Sequence, residues 1–432
     1  MPTARRFYKK AQRSLRYAVI RFIKNRRKTG QILDRKLDFA DSKIDDKYDL
    51  SGMIDFNSAK VLFLRQNAIG DALISTPIYA ALKARYPDIT IDVMLNRRNQ
   101  SIYDNDTSIR RIYLIKMRPL DLIPNLRLIR RERYDVIVDL VHSPSTTSAI
   151  ISLLGRAGVT VGGIREHPSR YPPDTDAMYD IKVRPVIPDG ADRMLLRLAE
   201  CLRILGIEPI RHLLKPTYTP GDKAQAFADA LIDRISGSND GFSPPKRVVG
   251  INISGAKAYK FWGSDNYIAL LQQIMPQHTA SIFLIIYSAE YAEQAKEIAK
   301  QTGAVLTGGT PTLDSFAALI ARLDTLITTD SSAVHFADVA GVPTVTLMID
   351  SQGHELWCPS VSSYRVVHAK QRELRSISPD AVASAFNALL EDTNEQDTGV
   401  SGRPQMVSLT NPDSNLTRGS DSGLGGVGFP YS

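Results

Sequence analysis

Cysteine is nearly absent from this chain of 432 residues, with Cys201 and Cys358 as its whole complement. Two thiols cannot build a disulfide framework or a cysteine zinc site, which points to a reducing compartment and a cytosolic setting. Long apolar runs are missing as well. The best stretch, Ser281 to Tyr287, is strand length, far short of the roughly 18 uninterrupted residues of a membrane-spanning helix. The N-terminus is basic but lacks a compact apolar core and a small-residue cleavage site, so no secretory signal is read there. Aromatics are sparse, at 7% of residues, and no nucleic-acid-binding motif accompanies them, which disfavours nucleic acid as a partner.

Acids are also missing from the first 33 residues. Arg5, Arg6, Lys9, Lys10, Arg13, Arg16, Arg21, Lys24, Arg26, Arg27 and Lys28 supply eleven positive charges before the first acid, Asp34. The whole chain carries +8, so everything beyond this arm sums to about −3 and the basic character belongs to one short segment. Phe7, Ala11, Leu15, Ala18, Val19, Phe22 and Ile23 recur there at helical spacing, which predicts a basic amphipathic helix. Such a helix suits an anionic membrane surface, where each Lys or Arg contributes roughly 1 kcal/mol. Docking of the apolar stripe on the protein's own body, a loose solvated arm and RNA binding are the competing readings.

What remains is globular in composition, with 43% hydrophobic and 23% charged residues. Residues 1–58 read as arm plus connector. From Lys60 onward, short apolar runs fit for buried strands alternate with amphipathic helical segments. Strands are expected at Val61–Leu64, Ile89–Leu95, Ile112–Ile115, Val136–Leu140 and Val159–Gly163. Helices are expected at Leu120–Arg133, Thr147–Leu154 and, as one long element, Ala191–Leu205. Proline-punctuated Ile207–Pro220 marks a crossing, and the pattern restarts with strand Val248–Ile253 and continues to helix Pro379–Leu390. From Thr393 the Gly/Ser/Asn-rich tail reads as disordered. The expected architecture is α/β, two doubly wound parallel-sheet domains (59–220 and 221–392) with a ligand cleft at the carboxyl ends of their strands.

Three segments fall where that cleft would lie. Arg65-Gln-Asn-Ala-Ile-Gly70-Asp71 follows the first strand, with Ser75, Thr76 and Pro77 beyond it. This loop carries Gly70 alone rather than a dinucleotide fingerprint. Asp71 could act as a general base toward a hydroxyl, an effect worth about 10²–10⁴ in rate, or could simply cap its helix. Arg65, Asn67 and Gly70 complete that loop. After the strand at Val248–Ile253 come Ser254, Gly255, Lys257, Lys260, Phe261 and Trp262, small residues followed by cations and rings, suited to phosphate. A solvated loop with lysines lying over the rings is the alternative. Last, Asp330-Ser331-Ser332-Ala-Val-His335 sits at a strand-to-helix corner, where unpaired N–H groups and the helix dipole attract anions.

Ile-Gly-Asp with a downstream Ser-x-Pro, Lys-x-Trp after the mid-chain strand, and Asp-Ser-Ser-x-x-His before a helix together resemble glycosyltransferase family 9, the ADP-heptose:lipopolysaccharide heptosyltransferases. The resemblance spans about Lys60 to Leu390. It implies a GT-B fold and inverting, metal-independent sugar transfer from a nucleotide diphosphate, with no cofactor. It implies Asp71 as base and Lys260 as the donor-phosphate lysine, with Ser254 and Gly255 beside the same group. It further implies Asp330, Ser331, Ser332 and His335 as the donor corner, and Glu290 as the acid at the donor ribose. Ser332 stands where many members carry Gly, and Lys257 has no counterpart role. The implied partners are a nucleotide sugar, ADP-heptose first, and a glycolipid acceptor. With the arm, this places the protein on the cytoplasmic face of the membrane. Asp174-Thr-Asp176 suggests a metal-dependent transferase, but its proline-rich setting speaks against that. A nucleotide-sugar epimerase and a non-catalytic, membrane-docked sugar-nucleotide-binding scaffold are the remaining alternatives.

Overall fold

A computed structural model describes residues 49–66, 68–115, 122–141, 145–162, 179–183, 193–237, 247–255, 258–349, 354–370 and 373–397. The basic arm, Asn67, Asp174, Asp176, Lys257 and residues 398–432 lie outside the described residues.

The first half runs β1 (Lys60–Leu64), α1 (Ile69–Leu73), α2 (Thr76–Arg85), β2 (Thr90–Asn96), β3 (Arg111–Ile115), α3 (Leu122–Glu132), β4 (Val136–Asp139), α4 (Thr146–Leu154), β5 (Val159–Gly162) and β6 (Ile181–Lys182). Two short helices follow, α5 (Met194–Ala199) and α6 (Cys201–Ile204). The strands pair in parallel in the order β3-β2-β1-β4-β5-β6. Period-two alternation sends Val61 and Phe63 to one face of the sheet and Leu62 and Leu64 to the other. Both faces are covered, which is why these strands are apolar throughout.

The second half comprises α7 (Asp222–Ser236), β7 (Arg247–Asn252), α8 (Ser264–Ile274), β8 (Ser281–Ile286), α9 (Ala292–Thr302), β9 (Val305–Leu306), α10 (Leu313–Ile320) and β10 (Thr325–Thr329). It continues through α11 (Ser332–Ala340), β11 (Thr344–Met348), α12 (His354–Trp357), β12 (Tyr364–His368) and α13 (Pro379–Asp397). Its parallel sheet has the order β12-β11-β10-β7-β8-β9. Counted from its own first strand, this is the order of the first sheet. In each sheet the order reverses between the first and fourth strands, and connections on either side of that point leave for opposite faces. A crevice therefore opens after β1 and β4 in one sheet, and after β7 and β10 in the other.

Several expectations need correction. The helix expected over Ala191–Leu205 is broken at Glu200 within its described part, because the chain tightens there into successive three-residue turns. Helix α7 was not anticipated; its sequence is rich in Ala and Asp, and only Ala224, Ala228 and Leu231 are buried. The connector is not all surface. Leu50 and Phe56 are buried in the first core, and the Phe56 ring packs 5.3 Å from that of Tyr86. The tail does not begin at Thr393 either, since α13 continues to Asp397.

The two halves share one apolar cluster. It joins β1 and β2 of the first sheet to Leu319, Leu323, Phe336 and Ala337 of the second half. The crossing segment is tied to both sides: the Thr217 N–H donates to Thr76 Oγ1 at 2.9 Å, and the Tyr218 hydroxyl donates to Asp314 Oδ1 at 2.7 Å. Asp314 also accepts the Gly221 N–H at 3.1 Å, and the Tyr218 ring packs edge-on against Phe336. Asp314→Ala would strand two donors in a half-buried setting. We expect it to reduce stability by about 1–3 kcal/mol, read as a lower midpoint in urea unfolding with an unchanged slope.

Candidate active site

β1 ends at Leu64, and Arg65 turns inward with no exposed surface. A guanidinium in such a place needs every donor occupied. Its Nε donates to the Asp71 carbonyl at 2.7 Å, one terminal nitrogen to the Leu140 carbonyl at 2.6 Å, and the other to Asp71 Oδ1 at 2.9 Å. The other carboxylate oxygen of Asp71 accepts the Ala68 N–H at 2.8 Å, so Asp71 does cap α1. Capping and facing the cleft are compatible, because Asp71 also lines the cavity described below. Two asparagines from the end of β2 pin the loop: Asn96 donates to the Gln66 carbonyl at 2.6 Å, and buried Asn99 donates to the Ala68 carbonyl at 3.1 Å. Asp71 thus has its orientation set from three sides.

In the second half, β7 ends at Asn252, whose amide donates to Thr328 Oγ1 at 2.9 Å. Ser254 Oγ accepts the Ser288 N–H at 2.7 Å, tying the loops after β7 and β8 together. Gly255 is required sterically: a Cβ there would lie 2.7 Å from the Lys260 Cβ. The turn holding Lys260 can therefore fold onto the backbone of Gly255. Lys260 Nζ donates to Asp330 Oδ2 at 2.6 Å and to its carbonyl at 3.0 Å. The Asp330 side chain is 44% exposed, so this ion pair is worth at most about 1 kcal/mol and yields easily to a competing anion. Ser331 is the N-cap of α11, accepting the Ala333 N–H at 3.3 Å, and Ser332 opens the helix. The ammonium and the positive end of α11 therefore face the same space.

One cavity of about 960 Å³ is lined by Gly70, Asp71, Ser254, Gly255, Lys260, Glu290, Asp330, Ser331, Ser332 and His335. Residues from both halves, far apart in sequence, meet there. Arg65 lies behind Asp71 rather than on the wall. Asn67, expected in the same loop, lies outside the described residues. Sequence reasoning missed Asn96, Arg98, Asn99, Asn252, Tyr287, Thr310, Thr312 and Trp357, which also line it. The signal available for Asn96 and Asn252 was a polar residue at the carboxyl end of an apolar strand; Trp357 gave none. Among the described residues no group of three His, Cys, Asp or Glu side chains is placed to hold a metal ion.

The halves touch at the cavity floor, where the His335 ring lies over the backbone of Gly70. A Cβ on Gly70 would sit 2.1 Å from His335 Cδ2, an impossible contact. Trp357 approaches the same ring edge-on at 6.1 Å. Burial pushes the His335 pKa below its ordinary 6.5, with Asp338, Asp330 and Asp71 pulling it back up. The imidazole is thus neutral at neutral pH.

Two parallel-sheet α/β units of identical strand order, facing a shared cleft across their carboxyl ends, define the GT-B fold. The sequence pattern of glycosyltransferase family 9 (heptosyltransferase) matches residues 126–378, more than half of the chain, and the protein belongs to that family. It is 23% identical over 303 residues to lipopolysaccharide heptosyltransferase 3 of Escherichia coli, covering 67% of this chain and 83% of that protein. Its fold matches a family 9 glycosyltransferase from Veillonella parvula with a TM-score of 0.63 at 16% identity, over 78% of this chain and 99% of that one. It matches Escherichia coli ADP-heptose heptosyltransferase II with a TM-score of 0.57 at 20% identity, over the same shares of the two chains. An Escherichia coli heptosyltransferase solved with ADP also scores 0.57 at 16% identity, over 76% and 99%. The chain is therefore a glycosyltransferase.

Gly70→Ala should force His335 and α11 away from α1, destabilising the protein by about 1–3 kcal/mol. Thermal unfolding would show the loss, and turnover should fall with it. The depressed His335 pKa fixes a second expectation. Between that value and 6.5 the unfolded chain binds the extra proton, so this contribution to stability rises with pH and is lost on acidification. Lowering the pH from about 7.5 to about 5.5 should reduce the unfolding free energy more in the wild type than in His335→Gln.

Proposed function

We propose that this enzyme transfers a heptose from ADP-heptose, with inversion, to a hydroxyl of a lipopolysaccharide-core or related glycolipid acceptor at the inner face of the cytoplasmic membrane. The observation that carries the reading is that Asp71 shares one cavity with Lys260 and the Asp330–His335 corner. Residues 59–220 form the acceptor side of this scheme, and residues 221–392 the donor side. The relatives named for lipopolysaccharide heptosyl transfer, and the neighbour solved with ADP, support the choice of substrates.

The chemistry follows from charge placement. Asp71 removes the proton from the acceptor hydroxyl as its oxygen bonds to the anomeric carbon. The bond from that carbon to the diphosphate oxygen breaks on the opposite side, and its electron pair leaves with the nucleotide. The resulting charge develops beside the Lys260 ammonium and the first N–H groups of α11, which need little reorganisation to receive it. Ser254 and Gly255 approach the same diphosphate, and Glu290 takes the ribose hydroxyls. Arg65 and Asn99 act through Asp71: they set the direction of its carboxylate, and proton removal depends on that direction. Neutral His335 adds no charge to the space between base and leaving group.

Asp71→Asn removes the base at nearly constant volume, and it also replaces one of the two oxygens that accept from Arg65 and the Ala68 N–H, so thermal unfolding is measured beside turnover. The substitution should lower turnover of ADP-heptose with a truncated core acceptor by at least about 10²-fold while nucleotide affinity stays near wild type. Lys260→Ala should weaken ADP binding or slow turnover by about tenfold or more. Calorimetric titration with ADP alongside a product assay separates the two effects. Wild-type turnover in Asp71→Asn would end the proposal.

A further inference from the structure

Helix α3, on the flank of the first sheet, presents a face that the reaction does not use. Ile129 is buried beneath it against Leu62, Leu64 and Met94, which fixes the side that points inward. At 100° per residue, the opposite face carries Ile123, Pro124, Arg127, Leu128 and Arg131. Ile123 is 45% exposed and Leu128 is 44% exposed, two of the few large apolar side chains so placed. Arg133 follows the helix end, and exposed Arg156, in the turn before β5, is near enough for its charge to act on Arg130. Arg130 feels its burial first and then the repulsion of Arg156, so like charges are gathered there.

Among the described residues no acid pairs with the arginines of this face. Glu132, the acid of α3, points away and is taken up by Arg110 at 2.9 Å, Arg111 at 2.5 Å and Lys60 at 3.5 Å. None of Arg127, Arg131, Arg133 and Arg156 makes an ion pair among the described residues. A concentration of positive charge without acids calls for an anionic partner, and exposed aliphatic side chains among the arginines select its kind. A nucleic acid rewards aromatic platforms and cations rather than isoleucine and leucine. A bilayer rewards this mixture, since aliphatic side chains enter the acyl boundary while guanidiniums remain at the phosphates. The first turn of α3 follows β3, so Ile123 stands at the level of the strand carboxyl ends, where the cleft opens.

We propose that the outward face of α3, with Ile123 and Leu128 inserted and Arg127, Arg131, Arg133 and Arg156 on lipid phosphates, is a docking surface for an anionic membrane, separate from the N-terminal basic arm. Its position on the acceptor side would let a lipid-anchored acceptor reach the cleft without leaving the bilayer. That consequence rests on the glycolipid reading above; the docking itself does not.

The test uses the full chain, arm included, sedimented with vesicles of phosphatidylcholine mixed with phosphatidylglycerol. Two double variants are compared with wild type, Ile123→Ser/Leu128→Ser and Arg127→Glu/Arg131→Glu. All four positions are at the surface, so thermal unfolding should be unchanged. Both variants should partition at least about tenfold more weakly onto these vesicles while keeping wild-type turnover of a lipid-free acceptor. Either variant retaining vesicle affinity within about twofold of wild type overturns the proposal. So does a loss confined to heparin, which would assign the face to a soluble polyanion. Normal vesicle binding with no transfer to any acceptor would instead remove the proposed function and leave the docking surface standing.

Discussion

The contact between Gly70 and His335 is the constraint on which the arrangement of the site depends. It brings the N-terminal turn of α1 against α11, so the loop carrying Asp71 and the corner carrying Asp330 are set at a fixed separation. Because the position permits no side chain at all, the tolerance of this contact is sterically narrow. The apolar cluster shared by both halves and the tethered crossing segment hold the same relation from behind. Removing any one of these restraints would leave two intact sheets and a cavity of the wrong shape.

Electrostatics inside the cavity divides along the same line. In the first half, Arg65 is deeply buried and its donors are committed to Asp71 and to the end of β4. It acts as a fixed brace, and severing such a buried pair by removing one partner is costly. In the second half, the partly exposed Lys260–Asp330 pair is weak enough to open to a competing anion. In the proposed reaction a firmly held Asp71 and an exchangeable Lys260 would suit the two tasks, orienting a proton acceptor and receiving a leaving group. Neutral His335 between them keeps a further positive charge out of the gap.

Much of this was legible beforehand because it is local. Apolar runs of strand length, helical spacing between them, and polar or glycine residues at the strand ends are properties of short windows. Asp71, Lys260 and the Asp330–His335 corner stood out because each follows a strand in a motif of few residues. Other features were hidden for identifiable reasons. Helix α7 buries too few side chains to show a clear apolar stripe, and Leu50 and Phe56 are single apolar residues in a polar segment. Trp357 and Asn99 reach the cavity only because the backbone folds them there, and no spacing rule connects either to Asp71.

The amino-acid sequence by itself determined the α/β class, the doubling of the pattern and the chemistry available at each strand end, because backbone preference and side-chain periodicity act over a few residues. Tertiary structure alone decided that Arg65 grips Asp71 from behind, that Lys260 rests on Asp330, and that His335 closes against Gly70. Those outcomes depend on how two sheets pack through one shared core, and the side chains involved are brought together across hundreds of residues by burial rather than by any local signal.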